Sequence, residues 1–238
     1  MTVARHAAVV AALLATAGCA RLVTRPSAPT THATAAIVAA GAARERELPG
    51  LRLTLTVRAT AGPPAARLAS PAYLAIAAPD RLRLQVLSPF GVTVLDLATD
   101  GDAYTVTLPM RGETRRGRID LAALAAGATP EDERMIVALA LLFRPKMRSD
   151  RCTAAGPTAV SCTIATNLTA TVTVDEALRP IREEYLAPGG RTVLVSELGE
   201  YPDRTRAAMP GRITISDGAG GPALIVRIVK VKAGSAPA

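Results

Sequence analysis

The chain has 238 residues, a formal net charge of +8 and 49% hydrophobic residues, but only 3% aromatics. That length suits one sheet-rich domain of good size, and with no tryptophan and two phenylalanines the interior has to be filled by Ala, Val, Leu and Ile. The charge does not indicate nucleic acid: 3 of the 28 cations are lysines, which leaves 25 arginines, bases would find few aromatic platforms, and the one dense cluster, Arg111, Arg115, Arg116 and Arg118, reads as a solvated basic loop.

Residues 1–18 read as a signal peptide. Arg5 and His6 precede the apolar run AAVVAALLATA, which has the length of a signal-peptide core and is too short to span a bilayer. The run ends in Thr16-Ala17-Gly18-Cys19. Small residues just before a cysteine resemble the lipobox of bacterial lipoproteins, where the cysteine is acylated and becomes the new N-terminus. Cys19 is therefore the candidate lipidation site, and the attached lipid is the expected membrane anchor. Thr16 stands where a lipobox usually has Leu, and an ordinary secretory signal is the alternative. Residues 19–33, rich in Pro, Ser and Thr with no apolar period, read as a flexible tether, so the folded domain is expected over residues 34–234.

Residues 34–47, TAAIVAAGAARERE, have helical composition, and Leu48-Pro49-Gly50 stops the helix. Leu51, Leu53, Leu55 and Val57 then alternate with polar residues, as do Leu82, Leu84 and Val86, giving strands with one buried face. Strands at 92–97 and 104–108 flank Asp100-Gly101-Asp102, a strong hairpin turn. Further strands are expected at 160–164, 170–174, 181–186, 193–198, 213–215 and 224–231. The last is apolar on both faces, as a strand covered on both sides would be. Between the two groups Thr129 offers an N-cap and Pro130 a first helical residue, followed by Met135, Ile136, Leu139, Leu142 and Phe143. A helix so apolar has to be covered nearly all round. The expected fold class is α+β, mainly β: a curved antiparallel sheet of about ten strands with one helix before it and one inserted midway.

Setting Cys19 aside leaves an even pair, Cys152 and Cys162, flanking a segment that contains Gly156-Pro157. In an exported, oxidising compartment this reads as a disulfide across a hairpin. No GxSxG, HExxH, CxxC or phosphate-binding glycine loop is present, and His32 is the one histidine after the signal segment. Glu183 and Glu184 are adjacent, so on a strand they point to opposite faces and make a poor acid–base pair. No enzyme, cofactor or metal site is expected.

Residues 81–101, RLRLQVLSPFGVTVLDLATDG, and residues 207–232, AAMPGRITISDGAGGPALIVRIVKVK, resemble two segments of LolB. These are its strand–Pro-hydrophobic-Gly–strand segment and its C-terminal Met-Pro, strand, Asp-Gly, strand ending. With the lipobox and the element order, the chain resembles the LolA/LolB superfamily. The resemblance implies an incomplete antiparallel barrel closed by helices over a hydrophobic cavity for lipoprotein acyl chains. It also implies a partner that delivers them, such as a periplasmic carrier protein. Phe90 matches the hydrophobic residue that protrudes from LolB and helps deliver lipoproteins into the membrane; the alternative places Phe90 in the core. The candidate cavity residues are Leu53, Leu55, Leu84, Val86, Val106, Met135, Leu139 and Leu142, which could equally be packed interior. Ala20 follows the cysteine where inner-membrane retention favours Asp, which points to the outer membrane, facing the periplasm. A different class of function uses the same fold as an interaction module in envelope assembly or sensing.

Overall fold

The computed structural model describes residues 31–60, 69–78, 80–202, 209–218, 220 and 224–233. The expected signal peptide, Cys19 and most of the tether lie outside the described residues.

Helix α1 spans Thr34–Glu47 and ends at Leu48, where Pro49-Gly50 turns the chain, with Gly50 at φ 83°. Six strands follow as a meander: β1 (Leu51–Ala59), β2 (Ser70–Ala78), β3 (Arg81–Leu87), β4 (Thr93–Asp100), β5 (Ala103–Leu108) and β6 (Glu113–Arg118). Two helices, α2 (Leu121–Ala126) and α3 (Glu131–Phe143), separate them from a second meander. It consists of β7 (Cys152–Gly156), β8 (Ala159–Ala165), β9 (Leu168–Val174), β10 (Pro180–Leu186), β11 (Thr192–Gly199), β12 (Arg212–Asp217) and β13 (Leu224–Ala233). β1 pairs antiparallel with β13. The result is one antiparallel sheet of thirteen strands, ordered β6-β5-β4-β3-β2-β1-β13-β12-β11-β10-β9-β8-β7. Its two edges are joined in sequence only by α2 and α3, which cross the inner face. This is the curved, open barrel expected from the sequence.

Three strands exceed that expectation, and each has a reason to be missed. β2, SPAYLAIAA, carries Pro71 and is rich in alanine, both poor strand signals. β7, CTAAG, has no apolar alternation. β6, ETRRGR, holds Arg115, Arg116 and Arg118 of the arginine cluster: these lie on an edge strand rather than a loop, and charge on an edge discourages pairing with another chain. Its Gly117 lies under the Tyr104 ring of β5, where a Cβ would come within 2.3 Å of the phenol oxygen.

Helix α2 was also not anticipated. The Asp120 carboxylate accepts from Ala122 N and Ala123 N, each at 2.9 Å, and Gly127 at φ 76° closes the other end, a complete pair of caps. Helix α3 starts later than expected. Pro130 is its N-cap, its carbonyl accepting from Arg134 N at 2.9 Å, and the buried Thr129 hydroxyl caps nothing.

Two cores result. The larger fills the inner face of β1–β5 and β9–β13 beneath α2 and α3; the smaller joins Ile37, Val38 and Ala40 of α1 to Val160, Cys162, Val172 and Val174. Beside the smaller core, Cys152 and Cys162 face each other across β7 and β8 and are disulfide-bonded. Replacing both by alanine should lower stability by about 3 kcal/mol in the chain-entropy account, measured by urea unfolding with and without reductant. A loss that persists undiminished in reductant would show that the bond itself contributes nothing.

Candidate functional site: an apolar cavity with a projecting rim

On the inner face, β1 carries Leu53, Leu55 and Val57; β3 carries Leu82, Leu84 and Val86; β4 carries Leu95 and Leu97; β5 carries Tyr104, Val106 and Leu108. Helix α3 lies across these rows. Arg144, just past its C-terminus, donates to Gly101 O and, at 2.8 Å, to Asp102 Oδ1. Both acceptors are in the β4–β5 turn, so that end of α3 is pinned away from the β3–β4 and β5–β6 turns.

The tilt of burial along α3 divides the inner face in two. Val137, Ala138 and Ala140 through Phe143 are buried, whereas Met135, Ile136 and Leu139 are half-buried. At the buried end, among Leu53, Leu55, Leu74, Leu82, Leu142 and Phe143, the free space is about 10 Å³, less than one water needs. At the other end a cavity of about 390 Å³ opens between β1, β3–β5 and the N-terminal half of α3. Leu84, Val86, Val106, Met135 and Leu139, all expected from the sequence, line it, together with Leu95, Leu108 and Ile136, which were not. Leu53, Leu55 and Leu142, also expected there, lie instead in the packed half, because Phe143 and the last turn of α3 fill the sheet's curvature. The exposed members of the lining are Arg111 and Arg115, so the mouth lies beside the β5–β6 turn, with Glu133 of α3 also in the lining.

Phe90 stands on the same rim. The β3–β4 connection is Ser88-Pro89-Phe90-Gly91; Gly91 N donates to Ser88 O at 2.9 Å and Ser88 N to Val92 O at 2.8 Å. Proline presets the backbone angle at the first loop position, and Gly91, at φ 79°, takes the left-handed one. Held between them, the Phe90 side chain is 92% exposed. Folding back into the core, the alternative considered above, is not what the ring does.

A polar cluster underlies the packed end. Lys146 Nζ donates to Glu183 Oε2 at 2.8 Å with both side chains buried. The Tyr185 hydroxyl reaches Glu183 Oε2 at 3.1 Å and Leu141 O at 3.2 Å, while Glu45 of α1 accepts from Lys146 N at 2.8 Å. Burial pulls the Lys146 ammonium down, but the Glu183 carboxylate outweighs it and holds the pKa above the ordinary lysine range. Burial raises Tyr185 and Glu45. Glu183 is thus buried and paired, while its neighbour Glu184 is only half-buried on the other face of β10. The cluster ties α1, the end of α3 and β10 together; among the described residues the adjoining space is about 60 Å³.

No family model matches the sequence, and no curated protein matches it significantly. Solved structures do match the fold. A LolA superfamily protein from Nitrosomonas europaea aligns with a TM-score of 0.56 at 15% identity, over 87% of this chain and 96% of that one. A domain named for outer-membrane lipoprotein sorting, from Vibrio parahaemolyticus, gives 0.54 at 11%, over 83% and 90%. A DUF1329 family protein from Desulfovibrio piger gives 0.56 at 10%, over 87% and 96%. The chain has the LolA-like fold, an open antiparallel barrel with helices on its inner face.

Proposed function

We propose that this chain is a lipid-anchored envelope protein that takes the acyl chains of lipoproteins, or of another amphiphile, into its cavity and passes them to the outer membrane without covalent chemistry. The observation that carries the reading is the position of the cavity mouth, on the rim from which Phe90 projects. An engineered apolar cavity of roughly 150 Å³ holds one benzene. By that measure a cavity of about 390 Å³ has room for something on the order of fifteen carbon atoms, close to one long acyl chain. Apolar burial is non-directional, so differing chains can enter and leave. The neighbours named for LolA and for lipoprotein sorting support the reading through their fold. Cys19 would supply the anchor, residues 19–33 the tether, and a periplasmic carrier the cargo; Ala20 favours the outer membrane.

Burial of the Phe90 ring at a bilayer interface is worth about 2 kcal/mol, which Phe90→Glu removes. The variant should fold like wild type and incorporate lipoprotein into vesicles about thirtyfold more slowly. Wild-type incorporation by this variant would end the assignment of Phe90. An interaction module in envelope assembly is the second reading. It is favoured by Val229 and Val231, which β13 leaves exposed where double coverage had been expected.

A further inference from the structure

Phe90 is not alone on its rim. The neighbouring β5–β6 hairpin turns through Pro109-Met110-Arg111-Gly112, again a proline, an apolar residue and a glycine of positive φ, here 63°. Gly112 N donates to Pro109 O at 3.1 Å, and the closed turn leaves Met110 73% exposed. The turn Pro109–Arg111 lies against β4, whose first residue, Thr93, follows Val92, which is 54% exposed. Adjacent strands lie about 4.8 Å apart, so Phe90, Val92 and Met110 make one apolar crest. Single exposed apolar residues are ordinary; three together beside a cavity mouth mark an interaction surface.

The charge around the crest says what covers it. Residues 109–118 hold four arginines and one glutamate, 4 − 1 = +3, while residues 88–92 hold no charge. Arg115 is paired with Glu113 at 2.6 Å, and Arg111 and Arg115 line the mouth directly behind Met110. Arg116 and Arg118 lie further up the edge strand and add to the field. Apolar tips ahead of a positive collar fit a bilayer carrying anionic lipid, with tips at the acyl boundary and guanidiniums among the phosphates.

We propose that the β3–β4 and β5–β6 tips together seat the cavity mouth on an anionic bilayer surface, with Met110 entering beside Phe90 and Arg111 binding a lipid phosphate. The proposal deepens the acyl-chain reading and rests on it for the purpose of the seat: a chain moves between bilayer and cavity without crossing water.

The test uses the full chain, purified from the envelope of an expression host and reconstituted into phosphatidylethanolamine vesicles with or without phosphatidylglycerol. A polarity-sensitive dye is attached at Met110→Cys, at Phe90→Cys or at Thr105→Cys in mid-β5, and lipids with chain-borne nitroxides quench any immersed dye. Quenching is expected at 110 and 90 but not at 105, and at 110 it should require phosphatidylglycerol. Arg111→Gln should lower the immersed population at 110 by about fivefold, the effect of one surface arginine, and added salt should lower it further. Quenching at 90 without 110, at neither position, or at 110 regardless of phosphatidylglycerol would overturn the proposal. Binding of an acylated lipoprotein by the same preparations is read separately by native mass spectrometry. Its absence while both tips are immersed would overturn the acyl-chain reading and uphold the docking surface.

Discussion

Lys146→Met should destabilise the domain by about 3–5 kcal/mol, the usual cost of leaving one member of a buried ion pair without the other. Lys146 and Glu183 are both buried and 2.8 Å apart. Without the ammonium, the Glu183 carboxylate keeps only the Tyr185 hydroxyl among its described hydrogen-bond partners. Replacing both, Lys146→Met with Glu183→Leu, should recover most of the loss, since two apolar groups of similar size leave no stranded charge. The pH dependence separates this cause from a simple packing defect. In the wild type the lysine pKa is raised, so its contribution is complete below the free lysine value of about 10.4 and is lost only as pH rises through the higher folded value. Burial raises the Glu45 carboxyl and the Lys146 charge holds it down in part, so in Lys146→Met the ionised Glu45 disfavours the folded state more than in wild type. Lowering the pH from neutral should therefore restore stability to the variant relative to wild type. Urea unfolding across that range provides the measurement; a constant difference between the two proteins would place the effect in packing.

The second large effect concerns the cavity. Met135→Trp puts an indole into the open half, where α3 is half-buried, and should reduce acyl-chain binding strongly with little effect on folding. Excluding only two methylenes of a chain removes about 1.6 kcal/mol of burial, roughly fifteenfold in affinity. Leu55→Trp makes the converse case. Leu55 sits in the half with about 10 Å³ of free space, so the larger ring should cost about 1–3 kcal/mol of stability through overpacking. Equal effects of the two substitutions on folding would mean that the two halves are not distinct.

The difference between these halves was not legible in the sequence. Leu53 and Val86 occupy equivalent inward positions on their strands, and alternation says only that both face inward. What separates them is where α3 ends, fixed by Arg144 on the β4–β5 turn 42 residues away. The strands that alternate cleanly were readable, as were the Asp100-Gly101-Asp102 turn and the span of α1. β6 was hidden because its arginines suit an edge strand and a loop equally well. Helix α2 did carry a signal, Asp120 and Gly127 bracketing an alanine-rich turn, but it is shorter than helical periodicity can reveal. The Lys146–Glu183 contact joins distant segments, and nothing local announces it. Met110 was the most readable omission: Pro109-Met110-Arg111-Gly112 repeats the device that drew attention to Phe90.

The central claim is that the cavity beneath the N-terminal half of α3 holds an acyl chain. Native mass spectrometry tests it most directly, on residues 34–238 mixed with acylated and non-acylated forms of one lipoprotein, for wild type and Met135→Trp. The account predicts a complex with the acylated form alone, formed by wild type and lost in Met135→Trp. Equal binding of the two forms, no binding, or acyl-selective binding that Met135→Trp leaves intact would contradict it.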